Sequence, residues 1–283
     1  MIRYPILEAD LVAQIKIEKK SWLKRASTRT AVYVAAGGYT GRSEFWGEIK
    51  GVYITLQHEK CAYCETKLQG SELASKVHEV EHYRPKSSVK EWTHSRGWAT
   101  GSNSTIGYYP LAYHYFNYAI GCTRCNSTLK SNFFPILGPR DVRNINPANM
   151  QLEQPLLLYP ISSIDKDDPQ DIITFDGVLP IPKRKKGRAY KRAVVNIEFF
   201  KLDHEDLTSR RAPGLVSLWV ALQSVANPTT GPKDREAAEK IISYRCSPQS
   251  EFSACFCAFR QLYHTNFARA QQLAHLLVDT LPG

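Results

Sequence analysis

Cys61-Ala62-Tyr63-Cys64, Val80-Glu81-His82-Tyr83-Arg84-Pro85-Lys86 and Cys122-Thr123-Arg124-Cys125-Asn126 are the three stretches on which the reading of this chain turns. A CxxC turn sets two thiolates on one edge of a tight loop. Two such turns brought together make a tetrahedral sulfur site that closes around zinc and leaves no open coordination position. Such a site is structural, and its binding energy helps fold the segment between the pairs. Ordinary buried cysteines are the plain alternative, but two CxxC pairs in a reducing compartment point to a metal. The span from Cys64 to Cys122 is too long for a compact zinc ribbon. A folded element must lie between the knuckles.

That element carries Glu81-His82, with Asn117 ahead of the second knuckle and Asn126 directly behind it. A carboxylate beside a histidine can divide two tasks. Glu81 can hold a hard divalent cation while a neutral His82 takes a proton from water. Asn126, mounted beside a zinc-bound cysteine, could offer its amide oxygen to the same cation. Asn117 could hydrogen-bond the imidazole and orient it. Phosphodiester hydrolysis needs this set: an activated water, and a cation to stabilise charge developing on the phosphate. Arg84, Lys86 and Lys130 lie close enough in sequence to grip flanking phosphates. Taken singly, each residue has a plain reading as a surface pair, a turn or a cap.

Composition agrees with such a substrate. The chain has 283 residues, with 37 Lys plus Arg against 27 Asp plus Glu, a net charge of +10. A basic excess favours polyanions, although it also serves simple solubility. Glu8 and Asp10 stand where a signal peptide would have its apolar core, and no apolar run approaches the ~20 residues of a spanning helix. A cytoplasmic protein with no membrane segment is the expectation.

Outward from the centre, residues 1–58 are expected to be helical, with a loop at Gly37, Gly38 and Gly41. Residues 59–140 form the zinc-clamped core, interrupted by a polar loop at Arg96–Gly107. Residues 141–283 are expected to be mostly helical, with a β-hairpin near 172–181 turning at Asp176-Gly177. VVNIEFFKL, LVSLWVALQSV, REAAEKIISY and FARAQQLAHLLV have the apolar spacing of core-facing helices. Lys183–Arg188 (KRKKGR) is a basic block that could meet phosphate or stand as a solvated loop. Cys246, Cys255 and Cys257 read as small buried hydrophobes. Among the unassigned histidines, only His114 lies near the site residues.

His78-Glu79-Val80-Glu81-His82 is a literal HExxH, the zinc motif of metalloproteases when it lies on a helix. Pro85 follows too closely for that helix to continue, no third ligand stands in a motif, and the CxxC pairs would be left without a role.

CAYCE, VEHYRPK and YPLAYHYFNYAIGCTRCNSTLKSNFFP together resemble HNH endonucleases of the zinc-clamped ββα-metal class. More narrowly they resemble the HNH nuclease subunit of Septu-type anti-phage systems and their retron-associated relatives. LLLYPISSIDKDDPQDIITFDGVLP and KLDHEDLTSRRA extend the likeness. The resemblance implies an α+β fold: a small ββα-metal core with a four-cysteine zinc clamp, embedded in helical N- and C-terminal regions. It implies His82 as general base, Glu81 and Asn126 as ligands of a catalytic Mg²⁺ or Mn²⁺, and Asn117 as the residue orienting the histidine. It implies a nucleic-acid substrate, DNA rather than RNA, and an ATPase partner subunit. The long insertion before Tyr108 and the longer N-terminal region depart from the family pattern. A zinc-stapled binding or scaffolding module with an inert Glu81-His82 pair is the non-enzymatic alternative.

Overall fold

The computed structural model describes residues 1–41, 43–68, 78, 80–162 and 164–279. The chain divides into two compact units, one formed by Arg3–Tyr63 and Lys67–Asp168, the other by Met1–Ile2, Cys64–Thr66 and Pro169–Gly283. Both contain helices and a two-stranded antiparallel sheet, an α+β mixture as expected.

The first unit opens with α1 (Glu8–Glu18) and α2 (Trp22–Ala36), followed by a 3₁₀ turn at Trp46–Ile49 and α3 (Lys50–Leu56). Glu8 and Asp10 sit in the first turn of α1, where the helix dipole favours acids. Leu11 and Ile15 are buried, whereas Ile17 is 78% exposed, so the apolar stripe is narrower than its sequence suggests. Trp22 and Tyr33 anchor α2 in an aromatic core with Phe45, Tyr113 and Tyr118. Burying large rings in this way supplies the main driving force for the unit.

β1 (Val80–His82) pairs antiparallel with β2 (Tyr118–Ile120), in the register Val80↔Ile120, Glu81↔Ala119, His82↔Tyr118. All six strand residues are buried. A helical turn at Arg124–Lys130 follows, closed by a π-type bond from Ser131 N to Asn126 O, 2.8 Å. Glu81-His82 thus lies on a β-ribbon and Asn126 in the first turn of the helix after it. Because Val80–His82 is a strand, His82 does not sit on the helix that a metalloprotease motif needs. Glu79 of that motif lies outside the described residues.

In the second unit, α4 (Pro169–Ile172) leads into the expected hairpin, β3 (Ile173–Asp176) and β4 (Leu179–Pro182). Gly177 takes φ +62 as the first residue of the two-residue loop, where side-chain-bearing residues are strained. Helices α5 (Gly187–Phe199), α6 (Glu205–Ala226), α7 (Pro232–Arg245), α8 (Ser253–Thr265) and α9 (Phe267–Val278) follow. Three of the four helical segments expected from the apolar spacing lie wholly within them, whereas VVNIEFFKL runs three residues past the end of α5 at Phe199. Trp219 packs edge-on against Phe259 and Tyr263 in their core. Cys255 is buried, whereas Cys246 and Cys257 are half-buried.

Candidate functional site

The four cysteines converge as their spacing requires. The Sγ atoms of Cys61, Cys64, Cys122 and Cys125 all lie within 4.8 Å of one another. A tetrahedron with Zn–S bonds of about 2.3 Å has edges of about 3.8 Å, so the cluster fits a metal ion with little adjustment. Two clamps on β2 bring the knuckles together. Gln57, buried at the end of α3, donates from Nε2 to Ile120 O (2.9 Å) and accepts from Ile120 N at Oε1 (2.8 Å). Ala62 N, inside the first CxxC, donates to the same Ile120 O at 3.0 Å. The second CxxC begins two residues beyond Ile120, so both knuckles are tied to one strand end.

On the ribbon, alternation sends Glu81 and His82 to opposite faces. The His82 ring meets its cross-strand partner Tyr118 edge-on, with centroids 5.1 Å apart, and meets Trp46 edge-on at 4.8 Å. His82 Nε2 lies 3.1 Å from Ala112 O. A carbonyl oxygen only accepts, so Nε2 carries the proton and Nδ1 keeps its lone pair. Burial first, and then the nearby Lys86 ammonium, push the imidazole well below its ordinary pKa, so it is neutral at pH 7.

Glu81 is 4% exposed, and Lys130 Nζ stands 3.1 Å from its Oε1. Apart from that ion pair, this buried oxygen has no hydrogen-bond partner among the described residues. Burial raises the Glu81 carboxyl and lowers the Lys130 ammonium, and each charge pulls the other back. A buried carboxylate oxygen answered by only one ammonium is a site that a hard cation suits. Asn126 is half-buried on the same helical turn as Lys130.

Two expected roles go to other partners. Asn117 does not bond the imidazole. Its Oδ1 accepts from Arg84 N (2.8 Å), and its Nδ2 donates to Arg84 O (3.0 Å) and Leu111 O (3.1 Å). The amide therefore fixes the backbone just after His82, with Tyr83 N donating to Asn117 O at 2.9 Å. Arg84 and Lys130 are buried and face inward. Arg84 forms a buried ion pair with Glu153, 2.9 Å, inside a ring of Tyr83, Tyr108 and Phe134. Desolvating an arginine requires such a partner, and Glu153 lies 69 residues away in sequence.

Of the three cations expected to grip phosphates, Arg84, Lys86 and Lys130, only Lys86 is partly exposed. Its Nζ stands 4.6 Å above the Trp46 ring. Trp46, which flanks both His82 and Lys86, was missed in the sequence. Its one signal there is an aromatic pair, Phe45-Trp46, set among charged residues. His78 is buried at 9% exposure, and its carbonyl accepts from Lys50 Nζ at 2.7 Å.

No helix among the described residues is long and apolar enough to cross a membrane. No family model and no solved structure matches the chain. It is similar to the Septu protein PtuB of Bacillus mycoides (strain KBAB4), with 30% identity over 166 residues, 58% of this chain and 50% of that protein. The chain thus spans half the length of that relative, and the likeness makes it a distant relative of a Septu protein.

Proposed function

We propose that this chain is a metal-dependent HNH endonuclease that hydrolyses phosphodiester bonds in DNA. We further propose that it is the nuclease effector of an anti-phage defence complex, licensed by an ATPase partner. One observation carries the reading. A neutral His82 with a free Nδ1 stands on a two-stranded ribbon beside a buried carboxylate, and a four-cysteine cluster ties the ribbon to the following helix. Similarity to a Septu protein supports the defence role.

In this reading Cys61, Cys64, Cys122 and Cys125 hold structural zinc, and Glu81 with Asn126 holds Mg²⁺ or Mn²⁺. The divalent ion, when bound, supplies positive charge for the oxyanion that develops as the phosphodiester breaks. His82 Nδ1 takes the proton from the attacking water. The Ala112 carbonyl keeps the other ring nitrogen protonated and the ring oriented. Tyr118 and Trp46 wall the imidazole, and burial keeps it neutral. Asn117 positions rather than reacts, by fixing the chain at Arg84. Lys86 is the motif cation placed to meet a phosphate.

The Glu81–Lys130 pair also suits the rival reading, a zinc-stapled binding module whose acidic residue is already neutralised. Divalent-ion dependence separates the two. A nuclease consumes plasmid DNA when Mg²⁺ or Mn²⁺ is added and stops on mild EDTA treatment that leaves zinc in place. A binding module leaves the DNA intact under both conditions.

A further inference from the structure

With Arg84 and Lys130 turned inward, the motif leaves Lys86 to hold the phosphates that flank a scissile bond. A second set of cations lies within one residue of the same wall. Lys24, Arg25 and Arg29 line a groove of about 570 Å³ on α2, with Phe45 on the facing segment. The Phe45 ring is stacked on Tyr113, centroids 4.3 Å apart, and the guanidinium groups of Arg25 and Arg29 lie 4.5 and 5.5 Å from its centroid. The ring thus serves as a mount that holds two cations at the groove wall. The next residue, Trp46, is the one that meets His82 and Lys86. Lys86 on Trp46 and Arg25 and Arg29 on Phe45 therefore follow one aromatic strip outward from the histidine, and Lys24 lines the same groove. Two carboxylates share the groove, and both are engaged: Glu48 pairs with Arg25, and Glu44 accepts from the Tyr39 hydroxyl.

We infer that this groove is the substrate channel, taking the phosphodiester backbone of a nucleic-acid strand as it leaves the His82 site. Lys24 and Arg29 are its main contacts. The inference rests on the nuclease reading. It replaces Arg84 and Lys130 as phosphate contacts with residues no part of the motif contains. Backbone contacts of this kind act through counterion release, so they set affinity and its salt dependence while leaving the chemistry at His82 untouched.

The test measures binding of labelled single-stranded DNA, duplex DNA and RNA of one sequence to the 283-residue chain. Fluorescence anisotropy is read across a salt series in a His82→Ala background, so that nothing is cut. Adding Lys24→Glu and Arg29→Glu should weaken binding by at least about tenfold near 0.1 M salt. It should also lower the slope of log affinity against log salt by about 2, roughly 0.9 per lost phosphate contact. Reversing Lys233 and Lys240, exposed cations on α7, controls for net charge and should leave both quantities nearly unchanged. The arm with the largest change names the polymer. Unchanged binding in the groove variant, an equal loss in the control, or no binding of any polymer by the parent overturns the inference. The nuclease reading fails on a separate result, wild-type cutting by the His82→Ala protein.

Discussion

At the residue scale, the centre of the account is the division of labour between the two nitrogens of His82. Nε2 is committed to Ala112 O, so any proton taken during a reaction goes to Nδ1. Replacing the neighbouring Asn117 with Ala leaves the ring bond intact. It unmakes three buried hydrogen bonds at Arg84 and Leu111. The expected result is a loss of about 2–4 kcal/mol in stability, measured by urea unfolding, with orphaned backbone groups as the cause. Arg84 is a structural residue for a similar reason. Arg84→Ala leaves Glu153 buried beside Tyr108, and a loss of about 3–5 kcal/mol is expected.

His114 gives a pH-dependent prediction. Burial pushes its imidazole down to about 4, and its Nδ1 accepts from Phe116 N at 3.1 Å. The folded pKa lies below the unfolded value of about 6.5, so the unfolded chain takes the proton first. Stability is therefore full above about pH 6.5 and falls as the pH drops toward 4. His114→Asn keeps the acceptor and cannot titrate. Its thermal unfolding should lose less stability over that window than wild type, by up to about 3 kcal/mol.

At the scale of elements, the ribbon is shorter than a sequence can show. Three residues per strand, separated by a long polar excursion, leave almost no alternation to read. The Asp176-Gly177 hairpin was legible because its turn chemistry and both flanking strands are contiguous. The C-terminal helices were legible because their apolar stripes repeat over several turns. The burial of Arg84 and Lys130 was not legible, for the opposite reason. Adjacency to a motif says nothing of burial, and their partners Glu153 and Glu81 are 69 and 49 residues away. The excursion itself is tied back at Gly107, whose N donates to Ser87 O at 2.9 Å. A Cβ there would lie 2.5 Å from Lys86 C and Ser87 N, so the two backbones meet where only hydrogen fits. Gly107→Ala should displace the segment bearing Lys86, seen as a lower melting temperature together with weaker nucleic-acid binding.

At the scale of the whole molecule, two metals with different lifetimes are expected. In the proposed reading the four-cysteine cluster would enclose its ion, whereas a cation at Glu81 would rest on oxygen ligands that exchange freely. Protein purified without chelator should carry about one zinc per chain, by elemental analysis. Cys125→Ser should lower that content and destabilise the protein, since binding of a structural metal is coupled to folding. Zinc-free wild-type protein that melts like the native protein would contradict the clamp.

The measurement that reaches the central claim most directly is cleavage of plasmid and phage DNA with Mg²⁺ or Mn²⁺. It compares wild type with His82→Ala, each with and without any ATPase encoded beside the gene. Metal-dependent cutting by wild type is expected, reduced at least about 10²-fold in the variant, while zinc content and melting temperature stay unchanged. A folded, zinc-loaded His82→Ala protein that cuts at the wild-type rate would contradict it.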